Sequence, residues 1–460
     1  MGGEFIDRIM EYAGQRSKYA DVRYMETEGR GAVIRNGEFD ESVYANDSGY
    51  AIRVLNDSIA MAYTDSEDWE RIKSIIDDAV SRSKKPGKNK IYHGKAEKAS
   101  WSEIGNDRVQ DHSLEDMINI LKEADSVAAD GSSVRISALS DRYVHQIYEN
   151  TDGSRVEGTY SRIFFNYLIG VSENDRYEQS SEEFGWTGGY EIFDFPYISE
   201  SMRNDVSNLR EIILAPSVEP GNFDVIVGPE ISGIVAHESA GHPTEYDRIS
   251  GREAALAGES FLTGKRFPYR IGSDKVSVID DPTIKGSYGY YQYDDEGVHA
   301  RKRYLYRNGF TSEFLLNRES ASWIGTESNG SGRSSAWDME PLARMSTTYI
   351  EPGDYSFEEL FEDVHRGIYI KSFTEWNIDD IRFNERYVGK EAYYIENGDI
   401  RGRVRRPVIE TNTIKFYSAV DAVGKDLRFS AGICGKGDPE QGVEVWMGGP
   451  HMRLRNMRIK

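Results

Sequence analysis

Apolar residues at Phe5, Ile6, Ile9, Met10 and Ala13 share one stripe, and the spacing predicts a helix over 5–15. The period then changes from about 3.6 to two. "DVRYMETEG", "GAVIRNGEFDESVY" and "GYAIRVLNDSIAMAYT" read as strands, with Asn36-Gly37 and Ser48-Gly49 suited to hairpin turns. A second helix is expected over Glu67–Ser83, capped by Asp65 or Ser66. The polar "SKKPGKNK", residues 83–90, reads as a linker into a further helix over Leu114–Ala129, capped by Ser113. Two long alternating strands follow, "SVRISALSDRYVHQIYEN" and "SRVEGTYSRIFFNYLIGVS", turned by Thr151-Asp152-Gly153.

Pro and Gly break the pattern in "APSVEPGNFD", and strands with hairpins at Asn308-Gly309 and Asn397-Gly398 dominate beyond it. The pattern implies an α+β protein. N-terminal antiparallel sheet units with packed helices precede a larger strand-rich C-terminal domain. Three units are expected, over 1–85, 86–215 and 216–460, as a chain of 460 residues is too long for one ordinary core.

Charge narrows the function. A formal net charge of −22 repels phosphate, and the one short basic run, "RGRVRRP" at 401–407, reads as a solvated loop or strand edge, so no nucleic-acid partner is expected. The opening "MGGEFIDRIMEYAGQ" lacks a signal-peptide pattern, and Ile6 stands where a myristoylation site wants Ser or Thr. No window approaches eighteen apolar residues, so no membrane partner is expected and a cytoplasmic protein is. The single cysteine, Cys434, cannot form an intramolecular disulfide.

Candidate chemistry centres on "VAHESAGHPTEYD", which holds two of the eight histidines. Val225–Val227 reads as a buried strand, Gly228 as a turn, and Pro229 as the start of a helix. On a regular helix residues five apart diverge by ~140°, against ~40° for residues four apart. His237 and His242 therefore face one metal only if the helix ends or bulges. Gly241 permits unusual backbone angles, and Pro243 pushes His242 out of the helical region. A catalytic zinc wants three protein ligands and an open position. The third candidate, Cys434 in "AGICGKGDPEQG", is either a thiolate ligand or a small buried apolar residue.

The segment "HESAGHPTEYD" is similar to the H-E-x-x-x-H signature of the TldD/PmbA family, once described as modulators of DNA gyrase and now regarded as metallopeptidases. "YGYYQYDDEGVHA", "PLARMSTTYIEPGD", "AYYIENGDI" and "GICGKG…GVEVWMGGPHMRL" resemble further segments of that family in the same order. The resemblance implies a TldD-type zinc metallopeptidase with one zinc per chain held by His237, His242 and Cys434. PmbA-type members lack those ligands. Pro243 stands where the family usually has Gly, and "GKGDPEQG" carries extra residues.

Glu238, beside the first ligand, is the expected general base toward the water that a catalytic metal activates, and then the proton donor to the leaving amine. Glu245 and Asp247 either orient a histidine or are solvated loop charges. His299 and His451 are candidate oxyanion donors, and Asp294, Asp295 and Glu296 are expected to order a loop. The resemblance implies unfolded or short peptides as substrates. It also implies a cavity between two subunits, as a homodimer or as a heterodimer with a PmbA-like subunit. The alternative is a non-catalytic zinc-containing partner subunit of a peptidase complex.

Overall fold

The computed structural model describes residues 2–87, 90–254 and 258–460; residues 88 and 89 of the expected linker lie outside the described residues. The first helix, α1 (Gly2–Gly14), is followed by β1 (Tyr19–Arg35), β2 (Glu38–Leu55) and β3 (Ile59–Thr64). Asn36 and Gly37 turn β1 into β2 with φ of 49° and 85°, the left-handed pair that a two-residue hairpin demands. Ser48-Gly49 does not turn. It lies inside β2, with Gly49 opposite Met25. The glycine serves a close approach instead, for a Cβ there would sit 2.4 Å from the Trp337 ring. The second helix, α2 (Trp69–Ser83), starts later than its pattern implied and is capped by Asp68, which accepts from the Glu70 N–H.

β4 (Lys98–Glu103) leads to α3 (Leu114–Ala128), where Ser113 and Asp116 form a reciprocal capping box. β5 (Val134–Asn150), β6 (Arg155–Glu173) and β7 (Arg176–Thr187) complete one seven-stranded sheet ordered β3-β2-β1-β5-β6-β4, with β7 also on β6. The long α4 (Phe195–Leu214), not anticipated from the pattern, buries Ile198, Met202, Leu209 and Ile213 against this sheet beside α3.

The remaining chain builds two larger sheets around the site. One has nine strands among the described residues, with β8 (Gly221–Val227) between Met452–Ile459 and Arg366–Ile370. One of its two edges is β9 (Phe373–Ile378), paired with β10 (Asn384–Gly389). The other has six strands and ends in the hairpin β11 (Arg428–Lys436) and β12 (Gln441–Gly449), with β11 at its edge. α5 (Pro229–Ala236) leaves β8 through Gly228 and packs on β12. That contact is backbone to backbone: a Cβ on Gly233 would lie 2.9 Å from the Gly448 nitrogen. Val225, Val227, Ile231, Ile234, Val235, Met452 and Leu454 fill the core beneath the helix. Among the described residues no helix is long and apolar enough to cross a membrane.

Candidate metal centre

The helix begun by α5 widens rather than stops. Residues His237–Gly241 form a single π turn, closed by the His242 N–H on the His237 carbonyl, and His242–Thr244 continue as α-helix. A five-residue hydrogen bond brings residues five apart onto one face, and such insertions recur at functional sites. The His237 and His242 rings lie 5.0 Å apart at 85°.

The sequence expectation of a break is therefore met by a bulge, and its two residues act differently from the reading. His242 keeps helical angles (φ −57°, ψ −45°), and so does Gly241 (φ −59°). Gly241 is small because Met345 presses on it; a Cβ there would fall 1.7 Å from the Met345 sulfur. Pro243 supplies no N–H for the turn behind it. The Ser239 carbonyl, four residues back, accepts instead from the buried Tyr306 hydroxyl at 2.8 Å.

Cys434 arrives from β11, its carbonyl held by the Arg344 guanidinium. Its Sγ is 3.5 Å from His242 Nε2, and one ligand atom each from His237, His242 and Cys434 lie within 4.8 Å of one another. All three side chains are buried. Burial pushes the Cys434 thiol up, yet the His242 and His237 imidazoles and Arg344 outweigh it and hold the thiol well below its usual range. His237 is raised: burial opposes its charge, but Cys434 and then Glu238 and Glu245 favour it.

Glu245 and Asp247 are not solvated. Glu245 Oε2 takes the His242 Nδ1 hydrogen at 3.0 Å and Arg248 Nε at 2.6 Å, with Lys436 Nζ at 3.3 Å. Burial would protonate this carboxyl, but Lys436, His242 and Arg248 depress it well below the ordinary carboxylate range. It therefore fixes the His242 tautomer, leaving Nε2 as the lone-pair nitrogen toward Cys434. Asp247 instead grips Lys436 at 2.7 Å.

Glu238 shares the centre's cleft, a cavity of about 510 Å³. Arg382 Nη1 donates to its Oε2 at 2.8 Å from the turn between β9 and β10. Free edges of β7, β9 and β11 wall this cleft through residues such as Ser181, Thr374 and Gly432.

Other sequence candidates lie elsewhere. His299 packs its ring against Tyr293, and His451 bonds the Tyr369 hydroxyl and Asp426; neither borders the cleft. Asp294 accepts from the Glu296, Val298 and Gly332 N–H groups, and Glu296 pairs with Arg53, so both order a loop. Arg382 and Tyr306 support the centre without a signal in the sequence. Met345 and Lys436 lie in the family-like segments without an assigned role there; Lys436 stands two residues from Cys434 on the same face of its strand.

These donors suit a metal. His237 Nδ1 is buried without a hydrogen-bond partner, which is costly unless something else occupies it. Two imidazoles and an easily ionised sulfur form a zinc-type donor set, and the cleft leaves one side open.

Fold and donor set thus suit a metallopeptidase, the class to which the comparisons point. Models of the PmbA/TldA metallopeptidase domain 1, central domain and C-terminal domain match residues 20–83, 107–210 and 220–460. A Methanothermobacter thermautotrophicus protein named metalloprotease is 31% identical over 99% of this chain and 98% of its own. A zinc metalloprotease TldD homolog of Saccharolobus solfataricus is 26% identical over 96% of each chain. The structure of TldE from Thermococcus kodakarensis superposes with a TM-score of 0.76 at 19% identity, covering 99% of both chains. The chain belongs to the PmbA/TldD metallopeptidase family.

Proposed function

We propose that this chain is a zinc-dependent peptidase acting on short or unfolded peptides, with one zinc per chain held by His237, His242 and Cys434. The observation that supports it best is the convergence of those three donors beside the Glu238 carboxylate in one open cleft. A zinc ion there would supply Lewis acidity to the scissile carbonyl and acidity to an attacking water.

The protein's own groups do the rest. Glu238 takes the proton from the water as it attacks the carbonyl carbon, then returns it to the leaving nitrogen. Arg382 holds that carboxylate in place. His242 is kept in one tautomer by Glu245. The substrate lies extended along the free edge of β11, where main-chain hydrogen bonds tolerate many sequences. We further infer a cytoplasmic dimer, with itself or a PmbA-like subunit, whose closed cavity spares folded proteins.

Purified protein should cut peptides, lose that activity with chelator and regain it with zinc. Glu238→Ala should keep its zinc and lose at least about a hundredfold in turnover, the usual worth of a general base. Undiminished turnover in that variant would falsify the role of Glu238. Zinc bound with no peptide cut by wild type would favour the non-catalytic partner subunit.

A further inference from the structure

A second concavity, of about 540 Å³, adjoins the metal cleft. It lies between the β1–β2–β5 face and the β11–β12 hairpin. Ile433 is 51% exposed and borders both cavities. Successive strand residues face opposite ways, so Cys434 serves the metal side while Ile433 and its cross-strand partner Glu444 serve the groove.

The floor of the groove is hollowed by two glycines. Cross-strand rows run Ala45–Gly29–Arg142 and Val43–Gly31–Ser140. Glycine inside a strand weakens the sheet and often marks the close approach of a ligand. Neither Gly29 nor Gly31 has a left-handed φ. A Cβ on either would meet nothing closer than 3.4 Å and 3.3 Å respectively, at Arg142 and Ser140. Gly29 could carry a Cβ at the edge of ordinary contact, and at Gly31 the Ser140 side would have to give by a few tenths of an ångström, so the chain's own packing accounts for them only in part. Arg142 and Arg162 at the groove's end are both matched by Glu444. The stacked Phe164 and Tyr288 form part of its wall, so what it offers a ligand is apolar contact.

We propose that this groove receives an apolar side chain of the substrate, from the residue next to the one facing the metal. The inference rests on the peptidase reading above: a peptide laid along the edge of β11 sends alternate side chains to the strand's two faces, and each face overlooks its own cavity. Selectivity for an apolar residue at that one position follows, within an otherwise tolerant main-chain grip.

The test uses fluorogenic peptides identical except for Leu or Ser at each position beside the cleaved bond, with wild type and Gly31→Val. Valine favours the strand and fills the floor, but its Cβ presses Ser140 at 3.3 Å, so thermal melting checks that the variant folds, and Gly29→Ala replaces it if it does not. Wild type should prefer Leu at one position by about tenfold in kcat/KM, carried by KM. Gly31→Val should erase that preference, bringing kcat/KM for the Leu peptide down to that for the Ser peptide. No preference at any position, or one intact in the variant, overturns the proposal. So does an altered oligomeric state by sedimentation with the preference unchanged, which would make the groove a protein interface. If zinc-loaded wild type cuts neither peptide, the peptidase reading has failed. The groove is then judged by fluorescence anisotropy of the labelled Leu peptide: tighter binding to wild type than to Gly31→Val sustains it, and equal binding removes it.

Discussion

Glu245→Gln isolates the charge that orients a candidate ligand while keeping the side chain's shape. The wild-type carboxylate is fully buried and touches His242, Arg248 and Lys436. Glutamine can still accept from Nδ1, but without the charge that makes the ring a better donor. Loss of such an outer partner typically weakens metal binding about 10- to 100-fold, on the order of 1.4–2.8 kcal/mol. Lys436 keeps Asp247 at 2.7 Å, so the separate loss of folding stability stays below the ~3–5 kcal/mol of a fully orphaned buried charge. Zinc affinity is measured by competition with a chromophoric chelator at constant pH, and folding by thermal melting of the metal-free protein. Asp247→Asn is the control. It disturbs the same lysine without touching His242 and should leave zinc affinity within a few-fold of wild type. Equal zinc affinity in Glu245→Gln and wild type, or an equal loss in both variants, would refute the assigned role.

Tyr306→Phe removes the hydroxyl that serves the Ser239 carbonyl in place of Pro243; a shift of the denaturation midpoint worth about 1–1.5 kcal/mol is expected, and no shift would show that the π turn needs no such partner. Glu385 is raised to about 7, by burial first and then by the charge of Glu238. The folded state thus holds a proton that the unfolded chain has shed, so this group's contribution to stability falls as pH rises from about 4.5 to about 7. Glu385→Gln lets one oxygen accept from Ser239 and Tyr387 and places an amide where Oε1 is now unpartnered. The variant should gain about 1–2 kcal/mol over wild type at pH 8 and little at pH 5; melts that run parallel at both pH values would count against it.

How much of this was legible in the chain depends on the range of the cause. Local turn chemistry was: Asn308-Gly309 and Asn397-Gly398 adopt the paired left-handed angles that hairpins need. Ser113 caps its helix as expected, and Pro229 opens the helix that carries the motif. The spacing of His237 and His242 demanded an irregular helix, and the π turn supplies one. What distant residues decide could not be read. Gly49 and Gly241 looked like backbone switches, but each makes room for a side chain far along the chain, Trp337 and Met345. Arg382 reaches Glu238 from 144 residues away, and no spacing could announce it. α4 was missed although its buried Ile198, Met202, Val206, Leu209 and Ile213 share a helical stripe, since Asp194, Pro196 and a run of polar residues dominate its surface pattern.

The meeting of two imidazoles and one sulfur on a single cation is tested most directly by X-ray absorption at the zinc edge of purified protein. One sulfur scatterer at about 2.3 Å with two imidazole nitrogens at about 2.0–2.1 Å is the predicted shell. A shell of nitrogen and oxygen alone, with Cys434 still open to alkylation in the zinc-loaded protein, would contradict it.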